Sequence, residues 1–387
     1  MTTVASHLKA KAASLRPADK LVVWTVLGLA ALGVVAVYSA IAFLAETKSG
    51  GDTERFLFRH LVRTGLALSA VGVVSLLDYR QLARVSKWLL AASLILLAAV
   101  QVSGIVLGGA QRWLEVGGVS FQPSDFAKVA LLLHVAVLLA KKQAYIEEFE
   151  RGFVPLLVWI VPTIALIGIE DLSTAAVLSC AVGAMLVIGR VRMLHLSGVA
   201  ALGLIAATLF LLASPQRAAR VESYLGVKLF DHTEEAAVFS SQAEGYQAKQ
   251  ARIAIAMGGL TGVGPGKSVQ RDFLPAPYND FIFAIVAEEY GLVGAGLLLF
   301  AFVILLFQGF LRIARQAPDP LGLFLAVGLT AALVLYGFVN AGVASGLLPV
   351  TGLPMPFVSY GGTSLLATGV MAGMLLNISR HVDPQRA

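Results

Sequence analysis

The fold is decided where a polar loop meets an apolar helix, in Phe273-Leu-Pro-Ala-Pro-Tyr-Asn-Asp280 and the following Phe281-Ile-Phe-Ala-Ile-Val-Ala-Glu-Glu-Tyr290. Two prolines exclude a regular helix here, so the chain is expected to arrive extended and restrained. Asn279 or Asp280 then suits the N-cap of the helix. The pattern predicts a carboxylate held at the water-facing end of a membrane helix. Such a position suits chemistry on a molecule that arrives from the membrane.

The composition around this stretch is that of a polytopic membrane protein. Of 387 residues, 58% are hydrophobic and 13% are charged, whereas soluble domains average about 45–50% apolar and about 25% charged residues. The formal net charge of +6 does not indicate a nucleic-acid partner. Lys and Arg beside membrane helices orient the protein and contact anionic lipid heads, so membrane lipids are the expected partners. The single cysteine, Cys180, excludes an intrachain disulfide.

Ten apolar runs are long enough to span a membrane, which takes about 20 residues. They lie at about 21–45, 57–77, 88–107, 124–140, 153–169, 172–189, 193–213, 280–306, 320–344 and 359–379. The first is expected to be a retained helix, because a signal peptide has a shorter apolar core of about 7–15 residues. We therefore predict an all-α protein with a ten-helix membrane domain at 21–380 and tails at 1–20 and 381–387.

The distribution of Lys and Arg predicts the orientation of these helices. Basic residues gather in the loops at 80–87, 141–151, 190–192 and 312–315, which predicts that these loops, both termini and both tails are cytoplasmic. On the other side, residues 108–123 carry the dense glycine punctuation of a structured loop. Residues 214–279 form the longest polar stretch, and a loop of that length is usually functional or disordered. Its part from 240 to 266 is expected to contain short helices on the membrane surface.

Asp125 and Lys128 open the fourth span, and their i, i+3 spacing puts both charges on one helix face. Charged residues entering a membrane usually face the protein interior and pair. The alternative is an interfacial pair that only anchors the helix. Glu170 and Asp171 lie between the fifth and sixth spans, where they either cap the following helix or line the same cavity. Glu288 and Glu289 lie within the span at 280–306, where they serve either catalysis or packing.

The stretch from 347 to 364 reads Leu-Leu-Pro-Val-Thr-Gly-Leu-Pro-Met-Pro-Phe-Val-Ser-Tyr-Gly-Gly-Thr-Ser. Its three prolines and three glycines predict irregular backbone at membrane depth, which is tolerated only where protein or a wet cavity satisfies the freed polar groups. Ser359, Gly361 and Gly362 then begin the last helix. A glycine-rich helix start offers N–H groups to an anion such as a phosphate, although re-entrant hairpins of transporters have a similar sequence.

The overlapping stretch from Leu348 to Leu366 resembles the C-terminal signature of the SEDS family (shape, elongation, division and sporulation), which includes FtsW and RodA. Four further blocks are similar to the family and occur in the same order: Gly109-Ala-Gln-Arg-Trp-Leu114, Gln122-Pro-Ser-Asp-Phe-Ala-Lys128, Gly258-Gly-Leu-Thr-Gly-Val-Gly264, and Phe273-Leu-Pro with Asp280-Phe-Ile-Phe283. The resemblance spans about residues 20 to 380. Within the family, Gly264-Pro-Gly-Lys-Ser268 looks more like the FtsW (division) branch than RodA.

The resemblance implies a peptidoglycan glycosyltransferase that polymerises lipid II on the outer face of the bacterial cytoplasmic membrane. Implied partners are a class B penicillin-binding protein, which crosslinks the strands, and other divisome or elongasome membrane proteins. The family's essential aspartate falls on Asp280, its charged pair on Asp125 and Lys128, and its loop tryptophan on Trp113. The family often has a Glu and a His-Thr pair before the aspartate. This chain has Ala276, Tyr278 and Asn279 there, so no role of that Glu or His is carried over.

Forming a β-1,4 bond from an α-linked lipid pyrophosphate is an inverting displacement, which needs a general base and stabilisation of the departing pyrophosphate. We assign the base to Asp280, and the candidate cations to offset the pyrophosphate charge are Lys128, Arg112, Lys267 and Arg271. Candidate substrate-binding residues come from the matched blocks, the loop cations and the start of the last helix; they are Arg112, Trp113, Gln122, Ser124, Lys267, Arg271, Ser359, Gly361 and Gly362. A divalent cation (Mg or Mn) at the pyrophosphate is compatible with this chemistry, although no ligand cluster in the sequence requires one.

Three alternatives compete with a division polymerase. The same chain could be a RodA-type elongation polymerase, a flippase for the lipid-linked precursor, or a non-catalytic scaffold for division proteins. A flippase should have polar residues throughout the depth of the bundle and open to both faces. Here the matched polar motifs gather at the outer face, which favours an enzyme acting there.

Overall fold

The computed structural model describes residues 17–48, 53–107, 110–116, 119–212, 221–222, 224 and 235–382. Most of the predicted tails at 1–20 and 381–387, and part of the predicted loop at 214–279, lie outside the described residues. Of Gly109-Ala-Gln-Arg-Trp-Leu114, the glycine also lies outside them.

The described chain is a bundle of long helices. In chain order they are α1 (Lys20–Lys48), α2 (Thr53–Leu76), α3 (Tyr79–Ser103), α4 (Pro123–Lys142), α5 (Val154–Glu170), α6 (Leu172–Ile188), α7 (Met193–Leu212), α8 (Glu235–Gly258), α9 (Ile282–Phe307), α10 (Pro320–Ala344) and α11 (Thr363–Arg380). Eight helical segments within the described ranges are long and apolar enough to cross a membrane. Each of the ten predicted spans corresponds to one helix, but α6 is only 17 residues long, and α11 is not among the eight. The protein is therefore a multi-pass helical membrane protein.

The third predicted span, 88–107, was wrong at both ends. Helix α3 begins at Tyr79, because the Asp78 side chain accepts a hydrogen bond from the amide of Arg80 at 3.0 Å and so caps the helix start. The helix ends at Ser103, and the next residues form a strand. The loop predicted to be structured contains a small antiparallel sheet, which the all-α prediction lacked. Its strands, in the order β1-β2-β3, are β1 (Ile105–Leu107), β2 (Ala110–Val116) and β3 (Val119–Phe121).

The glycine-rich block from Gly258 to Gly264, at the end of α8, lies with its backbone directly against the backbone of α9. Where short surface helices were expected, α8 is one helix of 24 residues. After it, the amides of Val263 and Gly264 donate to the carbonyl oxygens of Glu288 and Glu289, each at 3.0 Å. A Cβ on Gly262, whose φ is +85°, would lie 2.1 Å from the Glu289 oxygen. The block therefore needs glycine, because any side chain would hold the loop away from α9.

The loops fall at two ends of the bundle. At one end, the start of α1 meets the end of α11 through a hydrogen bond from the Asp19 amide to Ser379 Oγ at 3.1 Å. Arg80, in the first turn of α3, pairs with Asp319 before α10 at 2.7 Å. We call this the basic end. The opposite end gathers the sheet, the start of α4, the α5–α6 turn, and the segments before α9 and α11. We call it the site end.

Candidate functional site

The segment before α9 lies against the proline-rich segment before α11. The Tyr360 amide donates to the Tyr278 carbonyl at 2.8 Å, and Ser359 Oγ donates to the Asn279 carbonyl at 2.6 Å. The same Ser359 hydroxyl accepts from the Met355 amide at 2.8 Å. Ser359 is therefore occupied in joining the two segments, and its role is to position the backbone next to Asp280.

Asn340, inside α10, completes this junction. Its Nδ2 donates to the carbonyl oxygens of Asp280 at 3.0 Å and of Leu353 at 2.8 Å. Asn340 was not among the site residues predicted from the sequence. An amide that is 1% exposed within an apolar helix was the signal, because a buried amide must find hydrogen-bond partners. The irregular segments supply the partners.

Asp280 does not cap α9, contrary to the expectation for Asn279 or Asp280. Helix α9 begins at Ile282, and its N-cap Phe281 makes no side-chain capping bond. The carboxylate instead lies beside bare backbone, since a Cβ added at Gly352 would be 3.6 Å from Oδ2 of Asp280. Oδ1 is buried and has no hydrogen-bond partner in the described structure. A carboxylate oxygen without a partner is free to accept a proton from a substrate.

The surroundings of Asp280 shift its pKa towards neutrality. Burial raises the pKa of Asp280 from 3.8 to about 6, the Arg112 guanidinium opposes that shift, and the Asp171 carboxylate adds to it. A base works best when its pKa lies close to the working pH. The site thus holds a carboxylate that is ionised at neutral pH and still basic enough to take a proton.

Arg112, on β2, links the sheet to the α5–α6 turn. Its Nη1 pairs with Asp171 Oδ2 at 3.1 Å, and its Nε donates to the Glu170 carbonyl at 2.9 Å. Asp171 is the N-cap of α6 and accepts from the amides of Ser173 and Thr174. Of the two interpretations left open for Asp171, the helix cap is confirmed, and its pairing with Arg112 also brings it near the site.

Asp125 and Lys128 form a buried ion pair rather than an exposed interfacial one. Lys128 Nζ lies 2.8 Å from Asp125 Oδ1, and the two side chains are 5% and 6% exposed. Thr363, the first residue of α11, donates its hydroxyl to Asp125 Oδ2 at 2.7 Å. Lys128 also lies over the Tyr336 ring, 4.8 Å from its centroid, and it lines a cavity of about 10 Å³. Thr363 and Tyr336 were not predicted, because both contacts join residues distant in sequence.

The other predicted substrate-binding residues are divided between this site and its surroundings. Trp113 is half-buried on β2. The backbone N–H of Gln122 donates to Thr363 Oγ1 at 3.3 Å. Ser124 is 1% exposed, with a hydroxyl that has no partner among the described residues. Gly361 and Gly362 lead into α11, and a Cβ on Gly362 would meet no atom within 4 Å. The space beside Gly362 is therefore open, whereas a Cβ on Gly361 would lie 2.3 Å from Ser364 Oγ.

The two loop cations differ in how far they are free to meet a ligand. Lys267 is exposed, whereas Arg271 donates Nη1 to the carbonyl oxygens of Ser39 and Gly266, at 3.0 and 3.1 Å. The buried acids of α9 hold this loop and α1. Glu288 accepts from Ser268 Oγ and the Val269 amide, so it anchors the loop. Glu289 accepts from Ser39 Oγ and so joins α9 to α1.

Comparison with known families decides the identity of the fold. The profile of the FtsW, RodA and SpoVE family, described as cell cycle proteins, matches residues 19–383. This chain belongs to the FtsW/RodA/SpoVE family. The match covers every helix described above and confirms the resemblance found in the sequence motifs.

Curated relatives of this FtsW/RodA/SpoVE-family chain match it over almost its whole length. Stage V sporulation protein E of Bacillus subtilis is 37% identical over 367 residues, covering 94% of this chain and 97% of that protein. The probable peptidoglycan glycosyltransferase FtsW of Geobacter metallireducens is 35% identical, covering 94% of this chain and 95% of that protein.

Solved structures of the family have the same fold. One chain, from a structure described as "structural coordination of polymerization and crosslinking by a peptidoglycan synthase complex", has a TM-score of 0.73 and 30% identity, covering 94% of this chain and 98% of that chain. The rod shape determining protein RodA of Thermus thermophilus has a TM-score of 0.67 and 28% identity, covering 94% and 97%.

No group of three or more His, Cys, Asp or Glu side chains in the described part of this family member is arranged to hold a metal ion. Asp125 and Asp171 are each already paired with a cation. The divalent cation considered at the pyrophosphate stays a prediction.

Proposed function

We propose that this chain is a peptidoglycan glycosyltransferase that polymerises lipid II into β-1,4 glycan strands at the outer face of the bacterial cytoplasmic membrane. The observation that carries the proposal is Asp280. Asn340 holds the backbone carbonyl of Asp280 at the site end. One oxygen of the Asp280 carboxylate has no hydrogen-bond partner among the described residues, and burial raises the pKa of this carboxyl to about 6. Relatives that cover almost the whole chain carry the name probable peptidoglycan glycosyltransferase.

The reaction uses Asp280 as the general base. The ionised carboxylate takes the proton of the acceptor sugar's 4-hydroxyl as that oxygen attacks the anomeric carbon of the donor. The bond from that carbon to the pyrophosphate oxygen breaks, the pyrophosphate leaves with the electron pair, and the configuration inverts. A well-positioned base typically contributes about 10²–10⁴-fold to such a rate.

The main role of Arg112 and Lys128 is to set the electrostatic potential at the site end. Arg112 and Lys128 each carry a carboxylate partner, so each contributes a dipole rather than a free charge. Preorganised dipoles aimed at developing charge are effective in a site that excludes water. In this proposal Arg112 favours the ionised form of Asp280, and both pairs stabilise the departing pyrophosphate. The buried pair and the residues around it, Ser124 and Thr363 among them, line the donor side.

The proposed orientation of the chain rests on its basic loops. The loops that contain Arg80, Arg84, Lys87, Lys141, Lys142, Arg151, Arg190, Arg192, Arg312 and Arg315 are those predicted to be inside. Excess Lys and Arg mark cytoplasmic loops. We therefore propose ten spanning helices with both termini in the cytoplasm, which leaves Asp280 and the site end facing out.

A class B penicillin-binding protein is the proposed partner. The synthase complex to which this chain is similar is described as coordinating polymerisation with crosslinking, and that pairing requires a transpeptidase beside the polymerase. We further propose a role in division, because FtsW proteins and a sporulation protein match this chain at 33–37% identity, whereas the RodA structure matches at 28%.

The test is reconstitution of the full chain with its partner in liposomes containing labelled lipid II. Glycan strands on a gel are the expected product. Movement of lipid II across the bilayer without strand formation would instead identify a flippase. Neither activity, with an intact complex, would identify a scaffold.

A further inference from the structure

A polar cluster on α2 lies beside the start of α11. The His60 ring stacks on Tyr360, with centroids 5.4 Å apart and an interplanar angle of 29°. The Arg63 guanidinium lies over the same ring, 4.8 Å from its centroid. Thr64 follows on the same helix face, since residues three and four apart are neighbours on a helix. We call His60, Arg63, Thr64 and Tyr360 the α2 cluster.

The α2 cluster is connected to the base. Tyr360 packs edge-on against Tyr278, with centroids 5.5 Å apart, and its amide donates to the Tyr278 carbonyl at 2.8 Å. Asp280 follows two residues later in the same segment. The α2 cluster is therefore connected to Asp280 through the segment before α11 and the segment before α9, which are joined to each other.

Buried polar atoms of the α2 cluster have no partner within the described residues. His60 is 0% exposed and Thr64 is 6% exposed, yet neither ring nitrogen of His60 nor the Thr64 hydroxyl makes a hydrogen bond there. Native proteins leave few such groups unsatisfied, and a neutral imidazole offers one donor and one acceptor. Arg63 is half-buried, and no carboxylate pairs with it in the part of the chain that the structure describes. These groups can all donate to an anion.

The start of α11 supplies further donors. Gly361 and Gly362 precede Thr363, and no side chain caps the helix. The first amides of a helix have no partner within it, and they favour anions. Because a Cβ on Gly362 would meet no atom within 4 Å, a ligand has room to approach there.

We propose that the α2 cluster and the first turn of α11 form the subsite for the pyrophosphate of the lipid-linked donor. This inference rests on the proposed function and names where that substrate's charge is held. Arg112 and Lys128 are already paired with Asp171 and Asp125, whereas Arg63 has no carboxylate partner among the described residues. A guanidinium also matches two phosphate oxygens at once.

Binding to the full-length chain in nanodiscs tests this subsite. The probes are undecaprenyl pyrophosphate and undecaprenol, which share the lipid chain but differ in the anion. The wild type should prefer the pyrophosphate. His60→Phe keeps the stacked ring, and Arg63→Gln and Thr64→Val keep the approximate shape. The first two should each weaken pyrophosphate binding about 10- to 100-fold, with undecaprenol binding unchanged. Thr64→Val should have a smaller effect.

The matched control is Arg59→Gln, which removes an equal charge from an exposed position of the same helix. It should leave the preference intact. Inorganic pyrophosphate should compete with the lipid in the wild type. An unchanged preference in both His60→Phe and Arg63→Gln, each with a wild-type melting temperature, would overturn the subsite. So would displacement of the pyrophosphate probe by phosphatidylglycerol, which would indicate a general headgroup site.

Polymerisation assays on the same variants separate the two proposals. Strand synthesis with an unchanged KM for lipid II in Arg63→Gln would contradict the proposed subsite but not the proposed glycosyltransferase activity. Pyrophosphate binding that depends on His60 and Arg63, in a complex that makes no strands, would support the proposed subsite and contradict the proposed glycosyltransferase activity.

Discussion

The Asn340 side-chain amide donates to the Asp280 carbonyl at 3.0 Å, so a residue within helix α10 determines where the segment before α9 lies. The same amide holds Leu353 at 2.8 Å. Two irregular segments that are far apart in the chain thereby meet at one buried side chain. The position of the base depends on this contact, because Asp280 makes no capping bond of its own.

Asn340→Ala should therefore weaken both stability and activity. The substitution leaves two carbonyl oxygens without their donor, at a cost of about 1–3 kcal/mol for each group that stays unsatisfied. We expect a lower melting temperature in detergent and slower strand synthesis. Thr208→Ala is the control, since Thr208 is exposed on α7 and its hydroxyl donates to the Leu204 carbonyl of the same helix. Wild-type values for both properties in Asn340→Ala would contradict the positioning role.

The Asp125–Lys128 pair should show strong coupling in unfolding experiments. Removing either partner leaves a buried charge without its counter-charge, which typically costs about 3–5 kcal/mol. We expect Asp125→Asn and Lys128→Met each to destabilise the protein, and the double variant to regain much of the loss. Denaturant unfolding in detergent measures all four proteins. Additive losses would show that the pair is not an energetic unit.

Strand synthesis by the double variant separates packing from chemistry. If the pair serves the reaction, the double variant should remain slow although its stability returns. Recovery of the wild-type rate together with stability would make the pair purely structural.

The rate of polymerisation should depend on the ionisation of Asp280. A base must be deprotonated to act, so activity should rise with pH with a midpoint at about 6, well above the ordinary aspartate value of about 3.9. Arg112→Gln removes a charge that lowers this pKa and should move the midpoint up, whereas Arg112→Lys should leave it near the wild-type value. A midpoint near 4 in the wild type would contradict the environment described for Asp280.

The same shift predicts how stability depends on pH. The folded-state pKa of Asp280 is raised, so the folded protein binds the proton more tightly than the unfolded chain and loses stability as pH rises from about 4 to about 6. The Asp280→Asn variant has no carboxyl group at this position, so it should not lose stability in this way as pH rises. Its melting temperature should exceed that of the wild type above pH 6, and the difference should shrink towards pH 4.

The proposed orientation is open to labelling in whole spheroplasts. In a Cys180→Ser background, Lys249→Cys on α8 should react with an impermeant thiol reagent. Arg84→Cys, at an exposed position of the basic end, should react only after lysis. The reverse pattern would put Asp280 on the cytoplasmic side and contradict an enzyme acting outside.

Much of the fold was predictable from local sequence, and the site only partly so. Apolar runs gave the long helices because a membrane span needs uniform hydrophobicity, and the i, i+3 spacing gave the Asp125–Lys128 pair because a helix face is local. The start of α3 was missed, since Arg80, Arg84 and Lys87 interrupt the apolar run that a hydropathy pattern requires.

The parts of the site that were missed depend on contacts distant in sequence. Nothing local to Asn340 indicates that Asp280 lies beside it, and the Arg112–Asp171 pair joins residues from the sheet and a helix cap. The capping prediction for Asp280 failed for the same reason. Local propensity favours Asp at an N-cap, but the packing of the segment before α11 turned the carboxylate towards Gly352.

The most direct test is strand synthesis from lipid II by the purified complex carrying Asp280→Asn. The substitution keeps the side-chain size but removes the proton acceptor. Asp272→Asn, eight residues earlier and on the rim of the same loop, is the matched control. The proposal predicts a loss of about 10²–10⁴-fold for Asp280→Asn in a well-folded complex, and a near wild-type rate for Asp272→Asn. Strands made at the wild-type rate by Asp280→Asn would contradict the central claim.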